Sequence, residues 1–205
     1  MDASDAHDVT LAQSGDEPAF RRLVERHSRE VFQLAFRLTG SEPDAEDVVQ
    51  DTFLRAYREL KRFEARSRFS TWLHRIAVNC SYDLLRQRPR HKAESLDTGA
   101  DGPGGGIEPE ADDRRGPDRV AFGAEVQRRV RTAMNQLTPA ERVAFVLRHV
   151  EGRSLEEIGE TLGLRTGATK HSIFRAVQKM RRALTPLVED YDGRRQGQEP
   201  VPEPQ

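Results

Sequence analysis

Apolar residues recur along most of the chain at intervals of three and four, the pattern of amphipathic α-helices. In the first half this pattern predicts three or four helices. One is capped by Asp16 and ends at Gly40, the next begins at Ser41, and a later one is capped by Ser70. The helix after Ser41 is expected to bury Val49, Phe53, Ala56, Tyr57 and Leu60. Strand-type alternation is absent, so the sequence predicts an all-α fold.

The second half of the chain predicts four more helices. Asp118 opens the first, and capping boxes at Thr138 and Ser154 start the next two, each with a glutamate three residues later. The helix after Ser154 is short and stops at Gly163. A tight turn then leads into a longer basic helix with Ile173, Val177, Met180 and Leu184 on its inner side. A short helix, a glycine turn and a longer basic helix indicate a helix-turn-helix.

Charge divides the chain into blocks that a net charge of −1 conceals. Residues 21–90 carry +5 and residues 119–185 carry +7, whereas residues 1–20 and 91–118 carry −5 each. The segment 91–118 is rich in Gly, Pro and Asp and cannot bury enough surface to order itself. We therefore predict two small helical domains, 16–90 and 119–186, joined by a flexible acidic linker, 91–118, and followed by a disordered tail, 187–205.

Several classes of protein are excluded at this point. No apolar run is long enough to span a bilayer, so no membrane insertion is expected. A single cysteine, Cys80, excludes an internal disulfide framework and a multi-cysteine zinc site. No known catalytic motif is present, so we expect neither an enzyme nor catalytic residues, a metal or a cofactor. The expected location is the cytoplasm.

The last helix carries the sharpest functional signal. Its first turns present polar and basic side chains away from the apolar stripe, namely Lys170, His171, Ser172 and Arg175. A recognition helix enters the major groove with these turns foremost, and such side chains donate to guanine or to phosphate. The sequence therefore predicts DNA binding, against the alternative of a solvated basic face.

A second pattern lies on the helix that follows Ser41. Asp47, Gln50, Asp51 and Leu54 share one continuous face, largely outside the predicted core stripe. An exposed leucine beside two acids and an amide suits docking on a basic protein surface. The alternatives are a solvated acidic face and a carboxylate metal site, although no histidine or second acidic cluster is near in sequence.

The third pattern is a basic, aromatic-rich segment. Residues 61–90 carry eight basic and two acidic side chains. Phosphate attraction, ring stacking and amide hydrogen bonds are what single-stranded or flipped bases require of a protein. The candidate residues are Arg62, Phe63, Arg66, Arg68, Phe69, Trp72, Arg75 and Asn79. For Phe69 and Trp72 the alternative is a place in the hydrophobic core.

These segments resemble a known family. The stretches DAEDVVQDTFLRAYREL and FSTWLHRIAVNCSYDLLR closely resemble region 2 of sigma-70 factors of the extracytoplasmic-function (ECF) group. The stretch LTPAERVAFVLRHVEGRSLEEIGETLGLRTGATKHSIFRAVQKMRRAL resembles region 4. Both blocks in this order, joined by a short acidic linker, imply an ECF sigma factor. Such a protein binds core RNA polymerase and directs promoter-specific transcription initiation.

The resemblance also implies roles for particular residues. Asp47, Gln50 and Asp51 would dock on the clamp helices of the polymerase β′ subunit. The loop from Arg62 to Phe69, with Trp72, would open the −10 element, and Asn79 would hold a flipped base. Lys170, His171 and Arg175 would face the −35 element. The implied partners are core RNA polymerase (β′ clamp helices and β subunit), promoter DNA and an anti-sigma factor.

Two rival functions make different predictions. A dimeric transcription regulator would carry a receiver or ligand domain before its helix-turn-helix, and no α/β pattern is present. A helical nuclease using Asp44, Asp47 and Asp51 with a metal ion would need further acidic ligands. The sequence departs from the usual family pattern in two places. Gly167-Ala168-Thr169-Lys170-His171-Ser172 stands where the family usually has Gly-Thr-Val-Lys-Ser-Arg, and the tail 186–205 has no counterpart.

Overall fold

The computed structural model describes residues 3–88 and 117–196. Over these ranges the chain forms eight α-helices, one short 3-10 turn and no strand, which confirms the all-α prediction. The helices are α1 (Ala3–Gln13), α2 (Glu17–Thr39), α3 (Glu42–Glu59), α4 (Phe69–Gln87), α5 (Pro117–Asn135), α6 (Pro139–His149), α7 (Leu155–Leu162) and α8 (Thr166–Gln196), with the 3-10 turn at Leu60–Arg62. Helices α1–α4 pack as one group and α5–α8 as another.

The ends of most helices follow local hydrogen bonding. The Asp16 carboxylate accepts a hydrogen bond from the Ala19 N–H at 2.8 Å, and Gly40 ends α2 with a φ of 70°. Both predicted capping boxes, at Thr138 and Ser154, are present. Ser70 is not a cap, because α4 begins one residue earlier, at Phe69, with Arg68 in the capping position. The prediction was wrong here because the burial of Phe69, not a local cap, starts the helix.

The core face of α3 is rotated from the predicted one. Val48, Phe53 and Ala56 are buried, whereas Val49 is half-buried and Tyr57 is 49% exposed. The helix packs between α2 and α4, so its inner stripe runs through Ala45, Val48, Thr52 and Ala56. A shift of one residue turns a helix face by about 100°, and the sequence pattern alone fitted both registers.

Helix α1 belongs to the first domain, although its sequence is polar and was not predicted to be helical. Val9 and Ala12 are buried in the core. Asp8 accepts hydrogen bonds from Arg22 at 2.6 Å and from Arg26 at 2.9 Å. These bonds hold the pKa of Asp8 below its ordinary value, the one from Arg22 contributing most. Ion pairs thus hold the acidic helix α1 on α2, and the first domain begins well before residue 16.

The two groups of helices touch, and charged side chains are among the contacts beside a shared apolar cluster. Arg37 of α2 donates a hydrogen bond to Glu151 at 2.9 Å, and Nε2 of His74 in α4 lies 3.3 Å from the other oxygen of that carboxylate. Arg142 of α6 is buried against Gly40, and burial lowers its pKa to about 10. Helices α2 and α4 therefore pack on α6, and α4 also packs on α7.

Two boundaries of the predicted domains change. Helix α8 continues to Gln196, so the prediction of a disordered tail is wrong over 187–196. The polar composition suggested disorder, but the buried Leu187 extends the inner stripe of the helix past Pro186. The second domain begins at Pro117, the first residue of α5. The predicted linker lies outside the described residues up to 116, as does the tail from 197.

No helix among the described residues combines the length and the apolar character needed to cross a membrane.

Candidate functional site

The first candidate surface is the outer face of α3. Asp47, Gln50 and Asp51 are exposed, and Leu54 lies with them about half exposed, as predicted. A groove of about 230 Å³ runs beside this face toward α4, where Arg55 and Asp83 pair at 3.2 Å. The face is therefore acidic, with the apolar side chain of Leu54 at its C-terminal end, and none of its four members is buried.

The same face extends further than the sequence indicated. Tyr57 lies one turn beyond Leu54 and is as exposed as that leucine. On the other side of Gln50, a second groove of about 380 Å³ between α2 and α3 is lined by Phe32 and Val49. Tyr57 was missed because it was assigned to the core, and Phe32 because α2 was read for its core stripe alone.

The aromatic residues after α3 are core residues in two cases out of three. Phe63 and Phe69 are buried, and their rings lie 6.1 Å apart edge to face. The half-buried ring of Trp72 lies 4.9 Å from that of Phe63. The structure thus buries both rings that the sequence analysis assigned to base stacking, in line with the core alternative given for Phe69. The 3-10 turn at Leu60–Arg62 folds the loop back so that both rings enter the core.

One side chain of α1 fixes the start of this loop. The amide of Gln13 donates hydrogen bonds to the carbonyl oxygen of Leu60 at 3.0 Å and to that of Phe63 at 2.8 Å. A few residues on, Ala65 has a φ of 53°, in the left-handed region that side chains other than glycine rarely adopt. The loop is thus anchored at one end and sharply turned in its middle. Sequence reasoning missed Gln13 because nothing local marks a contact so distant along the chain.

The basic groups of this segment point away from the aromatic cluster. Arg62, Arg66, Arg68, Arg75 and Asn79 are all exposed, as predicted. Tyr82 and Arg86 lie on the same side of α4, with the guanidinium 5.6 Å from the ring centre. These side chains form a mostly cationic surface that contains one amide and, paired with Arg66 at 2.6 Å, the carboxylate of Glu64.

The turn between α7 and α8 is tightly constrained. Gly163 ends α7 with a φ of 65°. A Cβ on Gly159 would meet the carbonyl oxygen of Leu164 at 2.8 Å, so only glycine fits there. The Thr169 side chain is buried beside it. This packing sets the direction in which α8 leaves the turn, and hence which of its residues face outward.

The outward face of α8 differs from the predicted one at one residue. Lys170, His171 and Arg175 are exposed, but Ser172 is only 5% exposed. Ser172 falls between Thr169 and Ala176 on the buried stripe, so the prediction that it lies on the outer face is wrong. Phe174, 59% exposed, stands on the outer face instead. Phe174 follows Lys170 by one helical turn, and that spacing could have placed it on the outer face. It was missed because apolar residues of this helix were considered only as core residues.

Arg175 is exposed and is also paired with a carboxylate. Its Nε lies 3.2 Å from Oε1 of Glu141, a buried carboxylate at the start of α6. Oε2 of Glu141 accepts a hydrogen bond from Lys179 at 2.7 Å. Burial opposes ionisation of Glu141, yet hydrogen bonds from Lys179 and the Thr138 N–H hold its pKa below the ordinary value. Glu141 was not among the predicted site residues, because the capping box explained it fully.

No metal site accompanies these surfaces. Among the described residues, no group of three or more histidine, cysteine, aspartate or glutamate side chains is placed to hold a metal ion. Asp44, one of the residues of the nuclease alternative, is buried and pairs with Arg88.

Comparison with known proteins decides the family. The profile of Sigma-70 region 2 matches residues 23–91, and that of Sigma-70 region 4 matches residues 127–180. The chain belongs to the sigma-70 family. Region 2 therefore comprises α2–α4, with α1 packed against it, and region 4 comprises most of α5–α8. Sigma factors are non-enzymatic factors of transcription initiation that recognise promoters.

Relatives place this sigma factor in the ECF group. It is 35% identical over 176 residues to the ECF RNA polymerase sigma factor SigE of Mycolicibacterium smegmatis, covering 82% of this chain and 63% of SigE. It is 31% identical to the ECF factor SigW of Bacillus subtilis, covering 87% of this chain and 96% of SigW. Among solved structures, the sigma factor RpoE in complex with the anti-sigma factor NepR from Bartonella quintana matches with a TM-score of 0.54. That match has 25% identity and covers 81% of this chain and 96% of RpoE.

Proposed function

We propose that this chain directs core RNA polymerase to promoters through three separate surfaces of regions 2 and 4. The observation that carries the proposal is the position of these three surfaces on the helices and the charge of each surface. An acidic, partly apolar face lies on α3, and basic faces lie on α4 with its preceding loop and on the first turns of α8. One factor can then hold a protein with the first surface and DNA with the other two.

The α3 surface is proposed to bind core polymerase. Asp47, Gln50, Asp51 and Leu54 would dock on the clamp helices of β′, and Tyr57 extends the same face. Carboxylates complement a basic partner and speed association, while the half-exposed Leu54 supplies apolar area that desolvates on docking. The shallow grooves on both sides of the face leave room for side chains of the partner.

The loop after α3 and the outer face of α4 are proposed to hold the opened −10 element. Exposed arginines would attract the phosphates of the single strand, and Asn79 would hydrogen-bond a flipped base. Trp72 is the aromatic of the cluster that is neither fully buried nor fully exposed. Phe63 and Phe69 are buried beneath the loop and hold it in place, and they are not proposed to stack on bases.

The first turns of α8 are proposed to read the −35 element from the major groove, while region 4 also contacts the β subunit. Lys170 and His171 would donate to base edges or phosphates. Phe174 adds an apolar contact of the kind that distinguishes the methyl group of thymine.

Two further properties belong to this proposal. The complex of RpoE with an anti-sigma factor supports an anti-sigma partner for this chain. We also propose that the protein acts in the cytoplasm, where core polymerase and promoters are found, and that it performs no covalent chemistry. Selectivity then comes from differential binding, in which phosphate contacts position the protein and base contacts select the sequence.

Run-off transcription with reconstituted holoenzyme tests the proposal. Core RNA polymerase with this chain, but not alone, should initiate at a small set of sites in a fragment library of the source genome. Glu59→Arg is a matched control for Asp51→Arg, because both reverse an exposed acid on α3. Loss of transcription with Asp51→Arg and activity with Glu59→Arg would support the docking face. Failure of the wild-type chain to bind core polymerase would refute the proposal.

A further inference from the structure

Glu141 makes more contacts than a helix cap requires. Its side chain is only 2% exposed, and its Oε2 accepts hydrogen bonds from the Thr138 N–H at 2.9 Å and from Lys179 at 2.7 Å. Its Oε1 faces Nε of Arg175 at 3.2 Å. Capping α6 needs only the first of these contacts. The other two join the start of α6 to successive turns of α8.

The second capping box of region 4 offers an internal comparison. Glu157 caps α7 in the same way, accepting a hydrogen bond from the Ser154 N–H at 2.8 Å. Its side chain is 53% exposed, and its cationic neighbour, Arg153, comes from the loop before α7 and not from α8. The extra contacts of Glu141 are therefore not a general property of the capping box.

The ion pair with Glu141 lies on the Nε side of the Arg175 guanidinium. The guanidinium is planar, so a partner on Nε restricts the direction of the whole group. The side chain is nevertheless 54% exposed, so an outside partner can reach the guanidinium, whose terminal edge carries Nη1 and Nη2. Two parallel N–H groups on that edge match a phosphate, or O6 and N7 of guanine.

We propose that Glu141 is a positioning residue for −35 recognition, which holds Nε of Arg175 so that its terminal guanidinium edge faces the DNA. This inference rests on the proposed function of region 4. Lys179 satisfies the second carboxylate oxygen and ties α8 to α6. The side chain of Arg175 is thus ordered before DNA arrives, and its rotamer entropy is not lost on binding.

The test uses holoenzyme reconstituted with core RNA polymerase and promoter fragments whose −35 element is randomised. Glu141→Gln can still cap α6, because glutamine also accepts from the Thr138 N–H. We expect it to weaken binding to the best wild-type site by about tenfold and to flatten the preference at one position of the element. Arg175→Ala should have the same effect, and the double variant should be no weaker than either single variant.

Two controls separate positioning from stability. Glu157→Gln alters the other capping box and should change −35 affinity by less than about twofold. Arg175→Lys keeps a charge that Glu141 can pair with but lacks the terminal fork, so it should lose affinity as Arg175→Ala does. Because Arg175→Lys leaves the cap of α6 intact, it still tests the proposal if Glu141→Gln folds poorly.

Each outcome has a defined meaning. Additive losses in the double variant, or wild-type binding by Arg175→Lys, would overturn the positioning role while the wild-type chain still selects a −35 sequence. Absence of any −35 preference in wild-type holoenzyme would instead refute the proposed function of region 4, and the positioning role with it. Equal, non-additive losses with an unaffected Glu157→Gln variant would support it.

Discussion

The contact between regions 2 and 4 at Glu151 can be broken by one substitution. Glu151 accepts a hydrogen bond from Arg37 at 2.9 Å and faces His74 at 3.3 Å, and its side chain is 18% exposed. Glu151→Gln keeps the size of the side chain and removes the negative charge. We expect the variant to keep both domains folded and to loosen their association.

The magnitude follows from the geometry. A hydrogen bond between charged groups contributes about 1.5–3 kcal/mol when shielded from water, and an exposed ion pair contributes less than about 1 kcal/mol. Arg37 and His74 are between one-fifth and one-third exposed, so this contact lies between these limits. A loss of about 1–2 kcal/mol would shift the ratio of associated to separated domains by about 5- to 30-fold.

The contact also depends on pH in a defined direction. The hydrogen bond from His74, followed by the charge of His74 and the contacts with Arg37, lowers the pKa of Glu151 below its ordinary value of 4.5, against the effect of burial. A lowered pKa in the associated form means that its contribution is complete above 4.5. It is lost as the pH falls through the lower value, and the Gln variant should lack this dependence.

Small-angle X-ray scattering of the free protein measures the effect directly. The radius of gyration of Glu151→Gln should exceed that of the wild type at neutral pH, and the two should converge in acid. Glu156→Gln removes the same charge from an exposed position of α7 and should scatter like the wild type. Identical curves for wild type and Glu151→Gln, or an equal expansion in the control, would refute the reasoning.

Association of the domains bears on promoter binding. The −10 and −35 elements lie about 25 base pairs apart, or ~85 Å of B-DNA at about 3.4 Å per base pair. In the structure α4 packs against α7, the helix that leads into the reading turns of α8. These surfaces must therefore separate before both elements can be held. Glu151→Gln should lower that cost and tighten promoter binding by about fivefold.

Four other predictions concern single side chains. Asp51→Arg should weaken core-polymerase binding by about tenfold or more with an unchanged circular-dichroism melt; equal affinity would remove α3 as the docking face. Asn79→Ala should reduce promoter melting in permanganate footprints at equal occupancy, at a cost of about 1–3 kcal/mol, and unchanged melting would count against its role. Phe174→Ala should reduce selection for thymine in a randomised −35 library by about 1 kcal/mol, whereas an unaltered profile would show that the ring does not touch DNA. Asp8 has a lowered pKa, mainly through Arg22, so its stabilising effect should be present above the ordinary value of 3.8 and fade as the pH falls below it; thermal melts of Asp8→Asn should lack that acid-dependent part.

Local signals in the sequence predicted most helix ends correctly. Asp16, Gly40, Thr138 and Ser154 act within one turn of themselves, so their effect can be read without the rest of the fold. Ser70 failed as a cap because α4 begins at Phe69, two residues before a helix capped by Ser70 would, and the burial of Phe69 is a tertiary effect.

Exposure was harder to predict than helicity. Ser172 and Phe174 are two positions apart, and the apolar pattern placed the wrong one on the outer face of α8. The close packing of Thr169 beside Gly159 sets that rotation, and no residue pattern within α8 reveals it. Phe63 and Phe69 likewise have the composition of a base-stacking loop, but the 3-10 turn places them in the core. The exposure of Asp47, Gln50 and Asp51 on α3 was predicted correctly because polar side chains mostly remain in water.

The packing of α1 on the rest of region 2 has a consequence for the order in which the molecule folds. Gln13 bonds the carbonyls of Leu60 and Phe63, which are 47 and 50 residues further along the chain. Contacts so distant in sequence form only after the intervening helices have packed, because closing a long loop costs entropy that local contacts do not. Helix α1 is thus expected to dock after the helices that follow it in the chain, and its docking completes the loop that is proposed to open DNA. An N-terminal tag that hinders α1 should therefore impair promoter opening while leaving polymerase docking on α3 intact.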